Sequence, residues 1–262
     1  MKKMVVWTLA VVGCWCCLWE AASLTRGFVR RAAPYAHQLI DDVRALRRKA
    51  DDKAKKKPRR RYTVHQRLEM HGPAARKKLR AKFKRADVPY PPKKLTFVGL
   101  KHERQLQIYA PDAKGQPTLV ARYPILGASG TLGPKLREGD RQVPEGIYKI
   151  DFLNPNSTNH LSMRVTYPSA ADRAQARREG RKGLGGEIYI HGKMTSAGCL
   201  AMGDRAIEEI WVLAADAHIS NIDVIISPVD TRRRKIPAQH LKRQPKWVKD
   251  RYERIATSLK AL

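Results

Sequence analysis

Glu187-Ile188-Tyr189-Ile190-His191-Gly192-Lys193-Met194-Thr195-Ser196-Ala197-Gly198-Cys199-Leu200 holds a strand, a tight loop and the approach to a helix in fourteen residues. The alternation up to His191 has the period of two expected of a strand. After Leu200, Ile207, Ile210, Trp211 and Ala214 recur at i, i+3, i+4 and i+7, which predicts one amphipathic helix over Asp204–Ala217. Upstream the texture is the same as in Glu187–His191. Short β-like runs fall at Leu95–Leu100, Gln105–Tyr109, Thr118–Leu126, Gly146–Phe152 and Leu161–Tyr167, and one more follows at Ile222–Ser227. Turn formers separate them: Pro111-Asp112, the Gly127 to Gly133 stretch, Pro144-Glu145-Gly146 and Asn154-Pro155-Asn156. Many short strands with turn signals predict a mainly β domain, a sandwich or barrel, with one helix after Cys199. With 262 residues and 42% hydrophobic content, the chain can bury one such core.

The charge is distributed unevenly. Lys and Arg number 53 against 24 Asp and Glu, for a net charge of +29. Residues 24–94 hold 24 basic and 6 acidic side chains, and residues 231–262 hold 11 and 2. Residues 95–230 are nearly neutral, with 16 basic and 15 acidic. The reading is four segments: 1–23, a signal or anchor; 24–94, a basic and partly helical stalk; 95–230, the catalytic domain; and 231–262, a basic helical extension. In the stalk, Leu39, Val43 and Leu46 stand at helical spacing, and a second helical pattern runs near Gln66–Arg85. Val88-Pro-Tyr-Pro-Pro92 breaks helices and marks the boundary of the next unit. In the extension, Val248, Tyr252, Ile255, Leu259 and Leu262 form a stripe suited to packing on the domain. Basic arms suit polyanions such as acidic wall polymers or an anionic membrane. Nucleic acid is a poor partner: aromatic residues among the arm charges are sparse (Tyr62, Phe83, Tyr90), and no recognition module is present.

At the N-terminus, Lys2 and Lys3 precede an uncharged run from Met4 to Trp19. That is the pattern of an export signal. As a helix it would be ~24 Å long against roughly 30 Å of bilayer hydrocarbon, so retention as an anchor needs the extension through Leu24. Val11-Val12-Gly13-Cys14 also has the look of a lipidation box, with ordinary membrane-helix packing as the alternative. Cys14, Cys16 and Cys17 all lie in this first segment, and Cys199 alone remains for the rest. An exported form therefore has no internal disulfide, and its one thiol is a liability unless it is buried or used.

A tight loop between His191 and Cys199 can bring an imidazole to a thiol. The base takes the proton and the thiolate is the nucleophile. Gly198 lets the backbone turn closely, and amides there can hold an oxyanion. With no carboxylate nearby in sequence, a backbone carbonyl such as that of Gly192 is the candidate that fixes the imidazole tautomer. Ordinary packing of one His and one Cys in a β protein is the competing reading. Zinc at this pair does not fit, because a structural site wants four ligands and the segment has no second Cys or close His pair. No metal and no organic cofactor are expected.

The segment resembles the signature of the L,D-transpeptidases, the YkuD-like catalytic domain of bacterial wall enzymes. Within that family it is similar to the YafK-like branch, in which His-Gly is followed after a short loop by Ser-x-Gly-Cys. Gly133-Pro134-Lys135, Glu138-Gly139-Asp140 and Pro144-Glu145-Gly146-Ile147-Tyr148 resemble further motifs of the branch, as do Tyr167-Pro168 and Asp172-Arg173. The resemblance covers about Leu95 to Pro228. It implies that Cys199 attacks a peptidoglycan stem-peptide carbonyl to give a thioester and that His191, oriented by the Gly192 carbonyl, is the base. The Gly198 and Cys199 amides would form the oxyanion site, and Ser196 would line the loop. Tyr167, Asp172 and Arg173 would support the site or contact substrate, with a structural ion pair as the other reading of Asp172-Arg173. The resemblance places the chain in the bacterial envelope, exported to periplasm or wall.

Two departures bear on substrate contacts. Ala197 stands where most members have His in Ser-His-Gly-Cys, and Leu200-Ala201 leaves no Arg after the nucleophile. Three functions follow from these readings: an acyltransferase that cross-links or tethers, a hydrolase passing the same thioester to water, and a catalytically idle wall- or polyanion-binding protein.

Overall fold

The two strands with the clearest apolar runs lie at the centre. β1 (Leu95–Leu100) and β9 (Ile222–Ser227) pair in parallel, Leu95 against Ile222 through Leu100 against Ser227. Both faces of this pair are covered, so both strands are apolar on either face, with Thr96 and Asp223 the half-buried interruptions. Leu95 and Phe97 join Ile222, Val224 and Ile226 in the main core, whereas Val98 and Leu100 join Ile225 in a second cluster.

The computed structural model describes residues 41–48 and 60–262. Outward from the centre, β2 (Gln105–Pro111) and β3 (Pro117–Pro124) add antiparallel on the β1 side. On the β9 side come β5 (Gly146–Asn154) and β6 (Ser162–Val165), antiparallel in turn. Then come β7 (Tyr189–His191), β8 (Leu200–Ala201) and β4 (Gly127–Ala128). The full order is β3-β2-β1-β9-β5-β6-β7-β8-β4, an open curled sheet of nine strands. The mainly β domain is as read from sequence. Helices close its faces.

On the main-core side lie α1 (Val64–Arg85) and α3 (Asp204–Asp216), the helix expected after Cys199. Thr63 caps α1 in a reciprocal box with Gln66. Ala75, Leu79 and Phe83, spaced four apart, bury one face of α1 against α3 and the sheet. Arg76 forks onto Asp216 at 2.7 and 2.9 Å, and Lys82 meets Glu209 at 2.6 Å. The sequence reading carried the stalk to residue 94. Instead, α1 and Val88 supply buried side chains to the main core, and the compact unit runs from Arg61 to Leu262.

On the other side, α5 (Trp247–Lys260) seats Val248, Tyr252, Ile255 and Leu259 against Val98, Leu100, Tyr109 and Ile225. The C-terminal stripe is thus docked, reached through the short helix α4 (Ala238–Lys242). A helix not foreseen, α2 (Ala170–Arg178), is started by a capping box between Ser169 and Asp172.

The other unit spans Met1–Arg60, of which residues 41–48 are helical with every side chain exposed. The apolar run of residues 4–19, with its signal, anchor and lipidation readings, lies outside the described residues. Among the described residues no helix is long and apolar enough to cross a membrane.

Candidate active site

Sheet pairing puts His191 on a strand next to the one that Cys199 leads into. β7 and β8 run parallel, with Ile190 opposite Leu200 and His191 opposite Ala201. One register step back puts Cys199 opposite Tyr189, on the face that carries His191. The Tyr189 amide donates to Cys199 Sγ at 3.4 Å, and the thiol reaches the Glu187 carbonyl at 3.8 Å. On the far side, β4 pairs antiparallel with β8, Ala128 opposite Leu200, so Ser129 stands next to Cys199.

The imidazole is fixed by its own loop. His191 Nδ1 lies 2.5 Å from the Gly192 carbonyl oxygen. A carbonyl only accepts, so Nδ1 carries the proton and Nε2 keeps the lone pair of a base. Gly192 is held in turn. Its amide donates to the Leu161 carbonyl at 3.1 Å, and a Cβ there would meet Asp204 Oδ1 at 2.6 Å and the Asn159 oxygen at 2.7 Å. Only glycine fits this position.

Burial sets the charge state. It pushes the His191 imidazole below its ordinary value, with the Lys193 charge adding to the effect against the Gly192 bond. It pushes the Cys199 thiol up, against the Tyr189 amide. Both shifts favour the neutral forms, so the resting pair is a thiol and a neutral imidazole.

The loop before the nucleophile is held by two hydroxyls. Ser196 Oγ donates to the Cys199 carbonyl at 2.7 Å and accepts the amide of Cys199 at 3.1 Å and that of Gly198 at 3.3 Å. Ser129 Oγ accepts the Gly198 amide at 2.7 Å and donates to the Arg141 carbonyl at 2.7 Å. The amides expected to stand free for an oxyanion are therefore engaged by side-chain oxygens. Gly198 has φ of +112°, outside the range L side chains adopt readily. Ser129 escaped the sequence reading. The only signal for it was the turn-rich Gly127 to Gly133 stretch, 70 residues from Cys199.

The remaining candidates separate. Asp172 is buried, 2.7 Å from Arg251 Nη1 of α5, and also accepts the Ser169 amide at 2.9 Å. It is a structural ion-pair partner, and the pair is with Arg251 rather than Arg173. Tyr167 is buried, and its hydroxyl donates toward the Lys135 carbonyl at 3.2 Å. Tyr167 and Arg173 both line a groove of 740 Å³ together with Gly186 and Glu187. A second groove, of 620 Å³, runs along Gly133, Arg137, Gln142 and Arg181. The thiol touches the Glu187 carbonyl of the first groove, and Gly198 lies against the Gln142 carbonyl of the second. Cys199 itself lines neither. Among the described residues, one group has metal-ligand spacing: His71, His160 and Glu208, which excludes both Cys199 and His191.

A cysteine and a backbone-anchored histidine on adjoining strands are the groups that thiol-based acyl chemistry uses. The model of the L,D-transpeptidase catalytic domain, YkuD, matches residues 94–226, and the chain belongs to this family. YafK of Escherichia coli strain K12, named as an L,D-transpeptidase of unproven activity, is 36% identical over 121 residues, 45% of this chain and 46% of the relative. The match thus spans less than half of that curated relative. Among solved structures, the helical cell shape determining protein Pgp2 of Campylobacter jejuni aligns with a TM-score of 0.44 at 22% identity, covering 55% of this chain and 50% of Pgp2. L,D-transpeptidase 1 of Mycobacterium tuberculosis aligns at 0.29 and 14% identity, covering 51% of this chain and 61% of its own.

Proposed function

We propose that this protein is a cysteine acyltransferase acting on peptidoglycan stem peptides in the bacterial envelope. The reading rests on one observation above the others: an imidazole whose Nδ1 is tied to the Gly192 carbonyl, on the strand whose Tyr189 amide donates to the thiol.

The donor peptide enters along the groove lined by Tyr167, Arg173 and Glu187. Cys199 Sγ attacks the carbonyl of the L-centre of the third stem residue, and the thiol proton passes to His191 Nε2. The C–N bond to the following D-residue breaks, and that amine leaves with the proton from His191. The product is a thioester on Cys199 and a free D-amino acid. An acceptor amine then attacks the thioester, giving its proton to His191, and the thiol is restored. Water in place of the amine gives hydrolysis through the same steps. For an amide to stabilise the oxyanion, Ser196 must release the Cys199 N–H as the carbonyl enters.

Intact-protein mass spectrometry after incubation with disaccharide-tetrapeptide tests this. The expected mass is the chain plus the disaccharide-tripeptide acyl group, absent in Cys199→Ala. No adduct with the stem peptide or with a carbapenem donor sinks the enzymatic reading in favour of a binding protein. Fragment profiles from sacculi then separate new cross-links from free tripeptide.

A further inference from the structure

Three side chains far apart in sequence converge outside the thiol site. His71 belongs to α1, His160 to the turn before β6, and Glu208 to α3. His160 Nε2 lies 2.8 Å and His71 Nδ1 3.3 Å from the same Glu208 oxygen. All three ligand atoms lie within 4.8 Å of one another. The two rings meet edge to face, centroids 5.3 Å apart.

We propose that His71, His160 and Glu208 form a divalent transition-metal site, with two imidazoles and one carboxylate, that clasps α1 to the catalytic domain beside Gly192. Zinc–nitrogen and zinc–oxygen bonds of ~2.0–2.1 Å in a tetrahedron put neighbouring ligand atoms ~3.3 Å apart. The His71 edge already has that length, and the His160 edge needs to open by about half an ångström. The fourth position faces water, since the side chains of Glu208 and His160 are 33% and 24% exposed. His71 Nε2 is buried and makes no hydrogen bond, and the Glu208 oxygen is the acceptor that faces Nδ1, a contact the metal would replace. Nδ1 can present its lone pair while the proton moves to Nε2.

The position ties the site to the catalytic loop. Asp204, one turn before Glu208 on α3, accepts the Lys193 amide at 2.8 Å. A Cβ on Gly192 would meet His160 Cβ at 3.0 Å. Metal at the trio would thus stiffen the backbone that carries the Gly192 carbonyl, as outer partners do around ligated groups.

The test uses the full chain with Cys14→Ala, Cys16→Ala, Cys17→Ala and Cys199→Ala, which removes all four thiols as competing ligands. Titration with Co²⁺, followed by visible absorption, should give one equivalent with tetrahedral d–d bands. Zn²⁺ should displace it and raise the melting temperature. Glu208→Gln and His160→Gln keep hydrogen-bonding shape and should each weaken binding at least tenfold. X-ray absorption of the zinc-loaded chain should report two imidazoles, a measurement that needs no trio variant to fold. Absence of binding at micromolar metal, a spectrum without imidazole ligands, or unchanged affinity in both variants overturns the site. None of these outcomes depends on whether Cys199 is acylated.

Discussion

At Cys199 and His191, burial lowers the imidazole and raises the thiol, and the two shifts act together to leave the resting pair uncharged. The sign of the pH dependence follows. Activity needs His191 unprotonated, so the acid limb of kcat/KM should lie below 6.5, the ordinary histidine value. Alkylation of free enzyme by iodoacetamide needs thiolate, so its rate should climb only above 9.0, the ordinary thiol value here. A resting ion pair would instead give fast alkylation at acid pH, and that result would refute the neutral pair. Lys193 bears on the same balance, since its charge lowers His191. Lys193→Gln should move the acid limb upward, read from pH profiles of both proteins. This residue-scale chemistry explains what the sequence allowed. His191, Gly192, Gly198 and Cys199 lie within nine positions and were legible together. Ser129, which accepts the Gly198 amide, was not, because only the β4–β8 pairing brings it there.

Elements were legible in proportion to the surface they bury. β1 and β9 end where their apolar runs end in the sequence, Leu95–Leu100 and Ile222–Ser227, because both faces are covered and only Thr96 and Asp223 interrupt the runs. β4 and β8 are two residues each, too short to carry a period. α2 buries only Asp172 and Ala176, so it has no apolar stripe, and its one signal was the Ser169-x-x-Asp172 box. Asp172 shows how an element can mislead. It matched a family motif, yet it caps α2 and pairs with Arg251 of α5, both side chains less than a tenth exposed. Arg251→Met should therefore cost ~3–5 kcal/mol of stability by leaving a buried carboxylate uncompensated. Pairing it with Asp172→Asn should recover part of that loss, measured by urea unfolding. Full stability in the single variant would mean the pair carries nothing.

The basic charge looks different once the molecule is folded. From sequence it divided into a neutral middle and two arms, but α1 and α5, which carry a net +9 of the arms' +27, are docked on the domain. Residues 61–262 hold 38 basic and 19 acidic side chains, a net of +19 of the chain's +29. A folded body with that charge should bind anionic polymers by itself, with salt screening the contact over about 10 Å at 0.1 M. A chain starting at residue 61 should keep one cooperative melt and its Cys199 acylation. It should still sediment with purified envelopes at low salt and come off at high salt, though less completely than a chain starting at residue 24, which retains +28. A chain starting at residue 95 should fail to melt cooperatively. It lacks Ala75, Leu79 and Phe83, and burying side chains of that size is worth ~2–5 kcal/mol apiece for the larger two. If the chain from residue 61 loses all envelope binding while it still folds, polyanion attraction resides in residues 24–60, and the charge on the docked helices serves solubility alone.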